Sequence, residues 1–72
     1  MPLSMVQPEK EYVVDKINST DQELTSFLFS LGCYEGEKIA VVTKKSRSLV
    51  LAIKDARYNI DISLADLIDV EA

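Results

Sequence analysis

Three apolar runs follow one another in the second half of this 72-residue chain with almost nothing between them. From Glu37, Ile39 and Val41 would face one side of an extended strand while Lys38 and Ala40 face the other. Leu49, Leu51 and Ile53 alternate with Val50, Ala52 and Lys54, and Tyr58, Ile60 and Ile62 alternate with Arg57, Asn59 and Asp61. The connections, "KKSRS" and "DA", are short and polar. A parallel crossover needs about a dozen residues, so these three strands are antiparallel and joined by hairpins.

The first half supplies a different period. "EYVVDKI", residues 11–17, has the Tyr, Val and Ile enrichment of a strand, entered from Pro8. Leu24, Phe27, Leu28 and Leu31 then fall at helical spacing, which predicts a helix from about Asp21 to Leu31. Thr20 is the expected N-cap, with Glu23 reaching back to complete a capping box. Gly32 follows the last stripe residue, where a left-handed helix end needs no Cβ, so positive φ is expected there. Near the C-terminus Ser63 is expected to cap a helical turn, "SLADL", and "IDV" to form a last strand.

A chain this short folds as one domain, residues 1–72, and buries only about 60% of the surface its unfolded form exposes. Five short strands and one main helix give a mainly β protein. Partial closure into a small open barrel protects the strand edges, with the helix plugging one end and Leu31 and Ile53 in one core. The ends are expected to fray.

Charge and cysteine usage narrow the function. Residues 1–36 carry two Lys against six acids, and residues 37–72 carry six Lys or Arg against six acids, for a net charge of −4. An acidic chain with no sustained basic run is poorly suited to nucleic acid or anionic lipid. The opening "MPLSMVQPEKEY" has no signal-peptide core, and no apolar stretch approaches the roughly 20 residues of a membrane span. A cytoplasmic protein that reaches a membrane only through a partner is expected.

Histidine, the commonest catalytic base near neutral pH, is absent. The single Cys33 lies just past a predicted helix C-terminus, the wrong end of the dipole for a thiolate, and reads as a small hydrophobe. Asp61, Asp66, Asp69 and Glu71 are hard oxygen donors for a weakly bound divalent metal, but they have no Ca²⁺-loop spacing. Gly32 and Gly36 end a helix and open a strand, the reverse of a phosphate loop. Phe29 lies off the helix stripe and Tyr34 in the linker, so both are candidates for exposed aromatic area. Lys44, Lys45 and Arg47 form the one basic cluster, at a hairpin tip. These five are the candidate partner-binding residues.

The ordered string "FLFSLGCYEGEKIAVV", followed by the hairpin into "LVLAIKDARYNIDISLADLIDVEA", resembles the ferrous iron transport protein A family, the FeoA domain. The resemblance rests on Leu31, Gly32, Gly36, Ala65, Ile68 and Val70 and on the opening Met-Pro-Leu-Ser, and spans nearly the whole chain. It implies a small cytosolic SH3-like barrel that is not an enzyme. It also implies a role as an accessory protein of ferrous iron uptake, acting on the cytoplasmic GTP-binding domain of a FeoB-like permease. Many relatives have Pro where this chain has Glu35, Gly-Pro where it has Ser46, Arg47 and Ser48, and basic residues where it has Thr25 and Ser26. The alternative is a stand-alone, metal-responsive domain similar to the C-terminal module of iron-dependent repressors, binding iron or zinc.

Overall fold

The computed structural model describes residues 1–71. Strand β1 (Lys10–Ile17) leads into helix α1 (Gln22–Leu31), and β2 (Lys38–Lys44), β3 (Ser48–Ile53) and β4 (Ala56–Asp61) follow as a meander. A one-turn helix, α2 (Ile62–Ala65), then carries the chain to β5 (Ile68–Val70). All pairings are antiparallel and the strand order is β4-β3-β2-β1-β5. β1 serves two neighbours, pairing with β2 through Lys10–Val13 and with β5 from Val14 onward, with a register shift between Val14 and Lys16. That shift bends one sheet into a partly open, SH3-like barrel.

The alternation read from the sequence holds in β3, where Leu49, Leu51 and Ile53 are buried and Val50 and Ala52 are half-buried. These side chains meet Val14, Leu28, Cys33, Ile39, Val41, Ile60, Ala65, Ile68 and Val70 in one core. Two members, Leu3 and Val6, come from the N-terminal residues that were expected to fray. A 3-10 turn over Leu3–Met5 folds this segment back, and Met1 exchanges backbone hydrogen bonds with Val70 at 3.0 and 2.8 Å. The segment is apolar but too short, and too broken by Pro2 and Ser4, to show a helical or strand period, yet a small barrel needs Leu3 and Val6 to seal its core.

The helix begins one residue later than its expected cap. Asp21, not Thr20, is the N-cap, and its Oδ1 accepts from the Glu23 and Leu24 N–H groups at 3.0 and 3.3 Å. An ionised carboxylate satisfies two orphan donors and also meets the positive end of the dipole, so it outcompetes the neighbouring hydroxyl. Glu23 is thereby one position too early for a capping box. Likewise α2 is capped by Asp61, which accepts from the Ser63 N–H at 3.0 Å; Ser63 lies inside the helix, and Ile62 starts it where a strand residue was expected.

The four-residue stripe of α1 is buried unevenly. Leu28 is fully buried and Leu31 packs partly on the core beside Ile53, whereas Phe27 is 50% exposed. The helix ends as expected: Gly32 has φ 95°, its N–H donates to Phe29 O, and the Cys33 N–H donates to Leu28 O. These two bonds are the Schellman pattern. A Cβ on Gly32 would lie 2.9 Å from Ile53 Cγ2, so this glycine is required both by its φ and by close packing on β3.

Two substitutions report on this joint. Leu28→Ala is expected to cost about 2 to 5 kcal/mol in urea unfolding, the usual range for a fully buried leucine. Gly32→Ala is expected to cost about 2 to 4 kcal/mol, combining left-handed strain with the clash on Ile53. Phe27→Ala should stay within about 0.5 kcal/mol of wild type, because its ring is half in water already. A Phe27 loss equal to that of Leu28 would contradict the packing described.

Candidate interaction surface

The helix-to-strand joint also builds the surface of most interest. Because Gly32 turns the chain sharply, Tyr34 comes back alongside the last turn of α1, and its ring lies 4.7 Å from that of Phe29 at 31°. That separation is within the range of favourable tilted aromatic pairs. Phe29 is 63% exposed, an unusual position for a large aromatic side chain in a chain with so small a core. The tight β3–β4 turn, Lys54–Asp55, contributes from the other side. Lys54 holds φ 56°, the left-handed conformation that a two-residue hairpin favours, and its Nζ stands 5.9 Å from the centre of the Tyr34 ring. Between them is a shallow depression of about 450 Å³, floored by Leu31, Ile53 and Ala56 and flanked by Phe29, Tyr34 and Tyr58.

Phe29 and Tyr34 were candidates from the sequence; Lys54 and Tyr58 were not. Lys54 read as a plain outward position of a strand. Its role depends on the turn bringing it to a ring twenty residues earlier in the chain.

Lys44, Lys45 and Arg47 are all exposed at the β2–β3 hairpin, closed by a Lys45 N–H bond to Ser48 O at 2.8 Å. The hairpin begins β3 and the aromatic depression sits at its end, so a strand of six residues, roughly 17 Å, separates the two. The structure does not bring the five candidate residues into one patch.

The four acidic residues are dispersed, and most have an intramolecular role. Asp61 caps α2 and accepts from both the N–H and the hydroxyl of Ser63, which hold its carboxyl below the usual range. Asp66 accepts from the hydroxyl of buried Ser4, tying α2 to the N-terminal turn. Asp69 lies 4.0 Å from the Met1 ammonium. Glu71 is exposed, and its N–H donates to Val13 O. Among the described residues no three His, Cys, Asp or Glu side chains converge as a metal site would require. These residues do not assemble a resident metal centre.

Cys33 is 1% exposed, and burial pushes its thiol up to about 11. A thiol with that pKa is protonated at neutral pH and is a poor nucleophile. Among the described residues no helix is long and apolar enough to cross a membrane.

The chain is thus a small SH3-like barrel that carries an exposed Phe29 ring against a half-buried Tyr34. The FeoA domain family model matches residues 1–72, and the chain belongs to that family, whose members are accessory to ferrous iron transport. Iron(II) transport protein A from Clostridium thermocellum is similar at 26% identity and TM-score 0.88, over 99% of this chain and 44% of that one. FeoA from Stenotrophomonas maltophilia, an SH3-domain protein solved with zinc, is similar at 24% identity and TM-score 0.85, over 99% of this chain and 89% of that one. A manganese-dependent transcriptional repressor shares the fold at 17% identity and TM-score 0.84, over 94% of this chain and 39% of the repressor. No curated protein matches the chain.

The buried thiol predicts a pH dependence. Below about pH 9 both folded and unfolded chains hold the Cys33 proton and its contribution to stability is complete. As pH rises from 9.0 to about 11 only the unfolded chain releases it, so stability falls. Wild type should lose about 2 kcal/mol more than Cys33→Ala between those pH values. Equal pH profiles in urea unfolding would contradict the burial of this thiol.

Proposed function

We propose that this chain is a non-enzymatic binding module of ferrous iron uptake that works in the cytoplasm. It docks on the cytoplasmic GTP-binding domain of a FeoB-like permease and tunes transport or GTP hydrolysis. The observation that carries this reading is the Phe29–Tyr34 pair beside Lys54, a preformed aromatic surface at the rim of a shallow depression. Large aromatic side chains held rigidly in water are the usual anchors of protein interfaces, because they bury much area at little entropic cost. Membership of the FeoA family supports the setting, and the Stenotrophomonas protein has been put forward as a ferrous iron transport activating factor.

The basic hairpin takes a second role. Lys44, Lys45 and Arg47 stand too far from the depression to share its contacts, but unit charges act over a Debye length of about 8 Å beyond themselves at physiological salt. They steer encounter with an acidic partner surface, and the aromatic pair holds the complex. The metal-responsive alternative has less support, because Asp61, Asp66 and Asp69 already satisfy partners inside the fold.

The two roles separate kinetically. Against an immobilised permease GTP-binding domain, Phe29→Ala and Tyr34→Ala are expected to raise the dissociation rate about tenfold or more. Replacing Lys44, Lys45 and Arg47 together with Ser should slow association at low salt and leave dissociation and the melting curve near wild type. Wild-type binding by both aromatic variants would remove the depression as the docking site.

A further inference from the structure

A five-stranded open sheet has two outer edges, and this protein treats them differently. β5 is covered: Pro2 bridges to Asp69, and Met1 exchanges hydrogen bonds with Val70. β4 is not. The loop Lys54–Asp55 makes Ile53 and Ala56 the closing hydrogen-bonded pair of the hairpin, and from there bonded and non-bonded pairs alternate along Leu51↔Tyr58 and Leu49↔Ile60. The backbone groups of Arg57 and Asn59, with the Asp61 N–H, therefore point away from β3, and among the described residues nothing receives them. The Ile62 N–H donates to Arg47 O at 2.9 Å, which keeps the start of α2 on the β3 side and leaves the outer edge open.

The side chains on this edge are self-complementary. Arg57, Asn59 and Asp61 are all exposed on one face of β4. When a second copy runs antiparallel with its two-fold axis at Asn59, Asn59 faces Asn59, and Arg57 of each chain faces Asp61 of the other, whose Oδ2 is held by Ser63 and whose exposed Oδ1 remains to receive the guanidinium. The same register makes positions 57, 59 and 61 the hydrogen-bonded ones, which are the positions whose backbone groups point outward. Charge pattern and backbone pattern thus select one register. A shift of two residues would set Arg57 opposite Asn59 or Asn59 opposite Asp61, losing both ion pairs.

We propose that the β4 edge is a homodimerisation surface, on which a second copy of this chain adds antiparallel β4 about a two-fold axis through Asn59. The two five-stranded sheets then continue into each other across the junction, with symmetric Arg57–Asp61 pairs fixing the register. The surface is small, so the dimer forms at high concentration and leaves the aromatic depression available to a different partner.

Cross-linking reads the register directly. In a hydrogen-bonded antiparallel pair the opposed Cα atoms are about 5.5 Å apart, inside the range a disulfide spans. Asn59→Cys should therefore form a disulfide dimer under mild oxidation, at twice the 8.1 kDa of one chain. Arg57→Cys alone should not, since its nearest copy is several residues away along the strand; Cys33 is buried and inert in both. Sedimentation velocity on the unmodified chain from about 10 μM to about 1 mM should show reversible dimer, and Asn59→Pro should abolish it, because an edge strand accepts Pro but loses the central N–H. Arg57→Glu should weaken it about tenfold by setting like charges opposite each other. A chain that stays monomeric at the highest concentration, or Asn59→Cys and Arg57→Cys cross-linking at equal rates, overturns the proposal. So does a monomeric chain that instead takes an unrelated extended peptide on β4.

Discussion

Val14 is the residue on which the barrel turns. Its side chain is buried in the core, its Cα partner in β5 is Val70, and its backbone serves neither neighbouring strand alone. The Val14 N–H donates to Glu37 O at 2.9 Å, and its carbonyl accepts from the Gly36 N–H at 2.8 Å. The loop after α1 thus holds the one point where β1 leaves β2 and joins β5. Every later feature depends on that hand-over. The register shift beside Val14, with a second between Val41 and Thr43 in β2, increases the bend of the sheet and brings Ile68 and Val70 over the core that Leu3 and Val6 complete.

The same loop gives the proposed docking surface its rigidity. Gly32 packs on Ile53, and Ile53 is the last residue of β3, so the end of α1 and the β3–β4 turn are locked together through one close contact. Phe29 and Tyr34 ride on one side of that lock and Lys54 on the other. Their arrangement is set by packing, and little conformational entropy is lost when a partner arrives. The contact that stabilises this joint is therefore also the one that sets the proposed surface, and Gly32 has room for no side chain there.

The carboxylates near the C-terminus illustrate how chemistry that a sequence offers can be used up by folding. Asp61 and Asp66 look like free ligands along the chain. In the fold one starts a helix and the other anchors a buried serine. Both jobs need an ionised or strongly accepting oxygen, so the same property that makes a carboxylate a metal ligand also makes it a good cap.

The sequence by itself determined whatever rests on neighbours within a few residues. Short polar connections compelled antiparallel strands, alternation placed Leu49, Leu51 and Ile53 inside, and Leu-Gly after an apolar stripe required the left-handed turn at Gly32. The reading of Cys33 as a small buried hydrophobe was legible too, from its place beside the apolar stripe just past the helix end. Even local rules missed by one or two residues where two caps competed, as Asp21 displaced Thr20 and Asp61 displaced Ser63. Only the tertiary structure decided that Leu3 and Val6 complete the core, that Phe27 on the apolar stripe remains in water, and that the basic hairpin stands at the far end of β3 from Phe29 and Tyr34. Each of these depends on which surfaces meet across tens of residues. Periodicity records which face of an element is apolar; it holds no information about how much of that face the rest of a small barrel is wide enough to cover.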